Sequence, residues 1–587
     1  MRSFLKILFA CLTAIALSML ILFFMGVALF KTAAEPDKPE LKAKTVLVID
    51  LSKPIMEQGM EAGLSLPEGK TPEILGLFDI VRALQQAATD SLVKGVYLKC
   101  GSNSSGFATS NEIRNQLLKF KKSGKFIIAA SDYISERAYQ VANVSDRIYC
   151  QPQGMVDWKG NAITLTYFKG ALDKLEIEPE IFYAGQFKSA TEPFRLTKMS
   201  EPNRVQLTTF MEDLYQRFLI NTANSRKIDT ATLRSLANNL SVRTAEDATR
   251  FGLTDAAKYD DEVKSEIRTK LGIKADDQIN MMPIGDYIKN GRWNENKEGG
   301  NIAIIYAEGE IVDGAGDDNQ IGGDRFRNLL RKARMDKNIR AVVLRVNSPG
   351  GSAVASESIW REVMLCRKEK PLVVSMGDYA ASGGYYISCF ADSIFAQPNT
   401  LTGSIGVFSM YFDAQQMFNN KLGITFDRVK TAEHADYGTP FRPMTDEERQ
   451  AVQAGVDNIY GTFKKRVAEG RKLNLDYVDS VAQGRIWSGQ TALGLKLVDR
   501  IGGLQDAIDC ASRMAKMKSY QLKEWPVVES FWKKVLGSKE EPESSVKTYV
   551  LKQQLGADGF ALVNQFKTIQ NWSGVAQMRL PFFASFK

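Results

Sequence analysis

Short apolar runs alternate with amphipathic stretches along most of this chain. Ala341-Val342-Val343-Leu344-Arg345-Val346 has the composition of a buried strand. Pro349-Gly350-Gly351 then turns the chain, and Ala353 to Lys368 carries apolar positions at helical spacing. Leu372-Val373-Val374-Ser375 is a second strand, and Ser382-Gly383-Gly384 opens another helix. Strand, turn and helix recurring at this spacing predict parallel βαβ units. Two longer helical patterns, Glu201 to Lys227 and Thr445 to Arg471, lie downstream of such units. The second begins with Asp446, Glu447 and Glu448 and ends with basic residues, as the helix dipole favours. Thr445 and Glu448 have the spacing of a capping box, which places its start.

The pattern occurs twice. Asp90 corresponds to Asp336, Val96-Tyr97-Leu98-Lys99 to Val342-Val343-Leu344-Arg345, and Gln151-Pro152 to Gln397-Pro398, each pair 246 positions apart. Val46-Leu47-Val48-Ile49 and Ile302-Ala303-Ile304-Ile305 open the two units. The expected fold is therefore α/β, with two tandem copies of one domain. The expected division is an anchor at residues 1–32, a linker at 33–44, a first repeat at 45–295, a second at 296–525 and a C-terminal extension at 526–587. The apolar tail Arg579-Leu580-Pro581-Phe582-Phe583 is expected to dock on the body or lie near the membrane.

The anchor is the uncharged run from Ile7 to Phe30. As a helix rising ~1.5 Å per residue it is long enough for a hydrocarbon core of about 30 Å. It exceeds the apolar core of about 7–15 residues found in cleavable signal peptides. Lysines flank it on both sides, so charge alone does not orient it. A short N-terminal tail before a large domain favours tail-in and body-out.

Composition narrows the function. A chain of 587 residues with 44% hydrophobic and 25% charged residues is globular over most of its length. A net charge of +8 without a dense basic run does not suit a nucleic-acid partner. The six cysteines are scattered without metal-ligand spacing and are expected to be free, buried thiols. There is one histidine, His434, so any mechanism that needs an imidazole depends on that residue.

Three ingredients of acyl transfer remain. Ser404 stands between glycines in Thr402-Gly403-Ser404-Ile405-Gly406, a setting that presents a hydroxyl. Gly350 and Gly351 follow a buried strand, where their N–H groups can face an oxyanion. Lys188, in Gly185-Gln186-Phe187-Lys188-Ser189-Ala190, has apolar neighbours that can lower an ammonium pKa from its usual ~10.4. The first copy has Trp158 where the second has Ser404, and Asn103 to Gly106 where the second has the glycine turn. The second copy has no lysine opposite Lys188; its matching stretch, Lys430 to Thr439, carries His434 and Asp436. Each copy keeps half of a site, which predicts Lys188 and Ser404 across an interface between copies. Ser382, which also precedes two glycines at a helix start, is a rival nucleophile; otherwise it is an N-cap.

These motifs resemble the signal peptide peptidase A (protease IV) family in its long, membrane-anchored form. The resemblance rests on Asn347-Ser348-Pro349-Gly350-Gly351-Ser352, Ala381-Ser382-Gly383-Gly384-Tyr385-Tyr386, Leu401-Thr402-Gly403-Ser404-Ile405-Gly406 and Phe187-Lys188-Ser189-Ala190-Thr191-Glu192-Pro193-Phe194, in that family's order along nearly the whole chain. It implies a crotonase/Clp-protease-like fold for both domains, a homotetramer and cleavage of signal peptide remnants. It further implies a Ser-Lys dyad with Ser404 as nucleophile and Lys188 as general base, needing no cofactor or metal. The implied location is the bacterial inner membrane, single-pass, with the body on the periplasmic or extracytoplasmic side. Two other readings stay open: a crotonase-like acyl-CoA enzyme, and a non-enzymatic membrane scaffold.

Overall fold

The computed structural model describes residues 13–14, 17–21, 25, 39–61, 73–291, 299–527, 574 and 576–580. Most of the expected anchor lies outside the described residues. No helix among the described residues is long and apolar enough to cross a membrane.

Two sheets of mainly parallel strands form the body. The first runs in spatial order Met281–Pro283, Thr45–Asp50, Val93–Gly101, Phe126–Ile134, Arg147–Val156, Ala256–Ala257, with every pairing parallel. The second places Tyr520–Trp525, Gly300–Glu308, Ile339–Ser348 and Leu372–Ala381 side by side in parallel. Ser393–Ala396 continues it to Arg500–Ile501, while Leu401–Gly403 pairs the far end of Leu372–Ala381. The strand orders match, so the 246-residue repeat is a repeat of topology. The two copies form a tandem α/β body.

Parallel strands covered on both faces read as continuous apolar runs. Ala341, Val342, Val343, Leu344 and Val346 are accordingly all buried. Arg345 in the same strand is buried as well, at 1% exposure. Its guanidinium meets Glu57 at 2.7 and 3.1 Å, Ser375 at 2.8 Å and Glu112 at 3.3 Å. Glu57 and Glu112 come from the first copy, so the charge in this strand is an inter-copy tie. Asp378 makes another, accepting from the backbone N–H groups of Ala108 and Thr109. The long helices run over Glu201–Arg226 and Asp446–Arg471. The expected capping box closes the second: Thr445 N–H donates to Glu448 at 2.9 Å, and Glu448 N–H to Thr445 Oγ1 at 3.3 Å.

A third, mixed sheet joins the copies. Its order is Gln320–Gly322, Glu310–Val312, Gly350–Ser352, Gln577–Arg579, Val407–Asp413, Glu178–Ala184. Glu178–Ala184 of the first copy pairs antiparallel with Val407–Asp413 of the second over seven positions, from Ala184 opposite Val407 to Glu178 opposite Asp413. Gly350 and Gly351 therefore belong to a short strand in this sheet, rather than passing from the turn directly into the helix that starts at Ala353.

Candidate active site

The joining sheet puts the expected residues together. Lys188 lies four residues past the end of Glu178–Ala184, and Ser404 three residues before Val407–Asp413. Lys188 Nζ is 3.1 Å from Ser404 Oγ and 3.3 Å from the Ser404 carbonyl oxygen. It is closer still, 2.8 Å, to Ser382 Oγ. All three side chains are buried, Lys188 at 1% exposure and both serines at 0%. Burial alone holds the Lys188 ammonium well below its usual pKa, because the charged form loses its hydration.

The lysine loop is held from beneath. Gln206, from the helix Glu201–Arg226, donates to the Phe187 carbonyl at 3.0 Å and accepts from Ile486 N–H at 3.2 Å. Ser189 donates to Asn203 at 2.9 Å, and Asn203 to Glu192 at 2.8 Å. A Cβ on Gly484 (φ +75°) meets Lys188 Cβ at 2.7 Å, so the loop packs directly on that glycine's backbone. Sequence reasoning missed these supports, since Asn203 and Gln206 within a helical pattern and Ser189 in a loop carry no distinctive signal.

Both serines have backbone conformations rare for a residue with a side chain: φ is +55° at Ser382 and +50° at Ser404. Such strain clusters where a side chain must be presented in one direction. Their surroundings differ. Ser382 immediately precedes the helix Gly383–Ser388 and does not cap it with its side chain. Gly383 N lies 2.8 Å from the Cβ position of Gly350, and the carbonyl oxygen of Met578 packs against both glycines, 2.0 Å from the Cβ position of Gly350 and 3.1 Å from that of Gly383. A peptide carbonyl from the far end of the chain thus rests against the glycine that follows Ser382. Near Ser404, Gly403 faces the Trp487 ring and the Arg485 carbonyl, and Gly406 faces Gly484 and the Ala184 carbonyl.

The glycine strand runs antiparallel to Gln577–Arg579, pairing Gly350 with Arg579 and Gly351 with Met578. Leu580 N–H donates to the Pro349 carbonyl and Ala353 N–H to the Ala576 carbonyl. Antiparallel bonding alternates along a ladder, so Gly351 and Met578 form the bonded pair between these two. Gly350 N–H is taken by Ser348 Oγ at 3.1 Å. The positive φ of Gly350, +98°, and the contact with Met578 O exclude a side chain there. His434 is elsewhere, half-exposed, with Nδ1 3.0 Å from a Glu448 carboxylate oxygen.

The sequence relationships agree with this arrangement. The model for peptidase family S49 matches residues 119–274 and 365–518, once in each copy. The chain belongs to peptidase family S49. It is 34% identical to Protease 4 of Haemophilus influenzae, over 76% of this chain and 74% of that protein. It is 33% identical to Protease 4 of Salmonella typhi, over 85% of this chain and 83% of that one. It is 30% identical to the chloroplastic serine protease SPPA of Arabidopsis thaliana, over 81% and 69%. The chain is a serine peptidase, and the acyl-CoA and scaffold readings are set aside. A solved ClpP1 mutant from Listeria monocytogenes matches 35% of this chain and 94% of its own at 14% identity, with a TM-score of 0.24.

Proposed function

We propose that this chain is a membrane-anchored endopeptidase that degrades cleaved signal peptides and other apolar peptides through a Ser-Lys dyad. The observation that carries the dyad is a fully buried lysine amine 2.8 Å from a serine hydroxyl, in a pocket where burial favours the neutral amine. Lys188 is the general base. A neutral amine has two N–H donors and one lone pair. The Ser404 carbonyl accepts one donor and Ser404 Oγ the other, which leaves the lone pair for the Ser382 hydroxyl.

Ser382 is then the nucleophile, which reverses the ranking that the family resemblance implied. The peptide carbonyl resting beside Gly350 and Gly383 supports this assignment. Lys188 takes the Ser382 proton as Oγ attacks the substrate carbonyl. Gly351 N–H and Gly383 N–H hold the oxyanion. The ammonium protonates the leaving amine, and Lys188 then activates a water to hydrolyse the acyl-enzyme. Ser404 positions the amine. Ser404 as nucleophile is the second reading, favoured by its own 3.1 Å contact with Lys188.

The buried apolar cluster in which Leu207, Phe210, Leu214, Leu401 and Ile486 pack with Leu580 near Ala381 supports a preference for apolar peptides. The apolar run Ile7 to Phe30 supports a single-pass anchor in a bacterial inner membrane with the body outside the cytoplasm. A homotetramer of crotonase-like domains is part of the same reading. The test is fluorophosphonate labelling followed by mapping of the modified serine, with turnover of an apolar fluorogenic peptide by Ser382→Ala, Ser404→Ala and Lys188→Ala. Label on Ser382 and no turnover by Ser382→Ala or Lys188→Ala support the reading. Label on Ser404 gives the second reading, and full turnover by Lys188→Ala ends the dyad.

A further inference from the structure

The strand Gln577–Arg579 comes from the far end of the chain, yet it sits inside the joining sheet, between Gly350–Ser352 and Val407–Asp413. It is bonded on both sides. Gly350, Gly351 and Ser352 pair with Arg579, Met578 and Gln577, and Phe408 pairs with Gln577 across the other edge. Gly574 N–H donates to the Met410 carbonyl at 3.1 Å, and Leu580 N–H to Pro349 O at 2.8 Å. The bond between Met578 and Arg579 follows the carbonyl that rests against Gly350 and Gly383.

Side chains seat it as well. Met578 is 0% exposed, and Leu580 packs with Leu207, Phe210, Leu401 and Ile486. The Arg579 guanidinium pairs with the Glu310 carboxylate. Phe210, Leu214 and Leu401 of that cluster also line a cavity of about 320 Å³, whose other walls include Arg137, Asp378 and Tyr379. An extended peptide added between two strand edges, with alternate side chains in pockets, is how a groove binds peptide.

We propose that residues 576–580 are a built-in inhibitor strand of this peptidase, occupying the substrate groove in substrate register; the proposal rests on the peptidase reading above. With the strand seated, Lys188 and Ser382 are covered, and a substrate reaches them only after it leaves. A segment attached to the same chain acts at an effective concentration of order mM, so it outcompetes dilute peptide. The same contacts define what displaces it: an extended peptide with an aliphatic residue before the scissile bond, a basic residue after it to meet Glu310, and a further aliphatic residue in the Leu580 pocket.

The experiment follows fluorophosphonate labelling of the full-length chain in detergent. The variants are Met578→Asp/Leu580→Asp and, because that pair risks misfolding, Arg579→Glu on its own. Faster labelling is expected, about tenfold or more for the double variant, and less for Arg579→Glu. A synthetic peptide of residues 574–583 is expected to slow labelling of the double variant again. If both variants label at the wild-type rate, the strand does not guard the site and the proposal is overturned while the peptidase reading stands. Ser382-dependent loss of residues 579–587 from the wild-type chain makes the strand a substrate rather than an inhibitor, and equally overturns it. If no variant labels at any serine, both fall.

Discussion

The two copies share a strand order but differ wherever chemistry is done. At the position of Ser382 the first copy has Glu136, and at that of Ser404 it has Trp158, each 246 residues earlier. Glu136 turns inward and accepts the backbone N–H groups of Lys159 and Gly160 at 3.1 and 3.0 Å, and burial pushes its carboxyl up to about 7. Trp158 fills the remaining space, 2% exposed, with its ring against Tyr139 and Phe218 and its Nε1–H donating to the Leu233 carbonyl at 2.9 Å. Ser104 and Ser105 stand where Gly350 and Gly351 make room for a peptide. The first copy has closed its own site with side chains and contributes the lysine loop to its neighbour's. The second has done the reverse: its counterpart loop carries His434, tied to Glu448, and Arg442, which bridges Asp436 and Glu448. One scaffold thus supports either a core closed by side chains or a gap that takes a strand. The difference rests on a few side chains at strand ends.

The largest effects are expected at the dyad. Ser382→Ala and Lys188→Ala are expected to lower peptide turnover by roughly 10³-fold or more, read as kcat/KM on an apolar fluorogenic peptide. Ser404→Ala sharpens the comparison: losing a contact that positions the base is expected to cost about 10–100-fold, with fluorophosphonate still modifying Ser382. If instead Ser404→Ala is as dead as Ser382→Ala and Ser404 carries the label, the roles of the two serines are exchanged.

The pH dependence follows from Lys188. Its folded pKa is depressed, so activity is expected to rise as pH increases through that value, where the amine becomes neutral, and to fall on the acid side. The same sign governs its effect on stability. Below about pH 10 the unfolded chain protonates this lysine more readily than the folded one, so this residue destabilises the fold and does so less as pH rises. Lys188→Met is expected to abolish turnover yet raise the melting temperature at neutral pH by a few degrees, about 2–4 °C per kcal/mol recovered. A variant that melts lower than wild type would falsify the idea that burial of an amine without a counter-charge is the cost.

In the first copy the expected effects fall on stability alone. Trp158→Ala is expected to cost about 3–5 kcal/mol in denaturant unfolding, with turnover per folded molecule unchanged. Glu136→Ser/Trp158→Ser is expected to gain no fluorophosphonate label in the first copy, because its glycine turn and base are also gone. The smallest effect belongs to His434→Ala, within about twofold in kcat/KM, since a half-exposed ring paired with Glu448 does not reach the site. A tenfold loss there would mean that the lysine is not the only base.

Much was legible in the chain itself. The apolar runs and the 246-residue spacing carried the duplicated α/β architecture, because parallel strands buried on both faces demand unbroken apolar segments whatever surrounds them. The half-sites were legible for a related reason: a glycine turn and an isolated serine kept in one copy, and a lysine kept in the other, point to a shared site. Arg345 was misleading at this level, since a buried charge in a strand makes sense only with Glu57 and Glu112 brought in from the other copy.

The tertiary structure decided which serine lies beside the paired strands Gly350–Ser352 and Gln577–Arg579. Ser382 and Ser404 both follow strands, neighbour glycines and adopt positive φ. What separates them is the approach of Gly350 and Met578, from two other parts of the chain, to the glycine that follows Ser382. The seat of Gln577–Arg579 was likewise beyond sequence reasoning. A three-residue strand has no periodicity to read, and it exists because Gly350–Ser352 and Val407–Asp413 leave a gap of one strand between their edges. Local sequence determines what a segment is able to form. Which edges lie one strand apart is set by the packing of the two copies against each other, and that packing completes the groove.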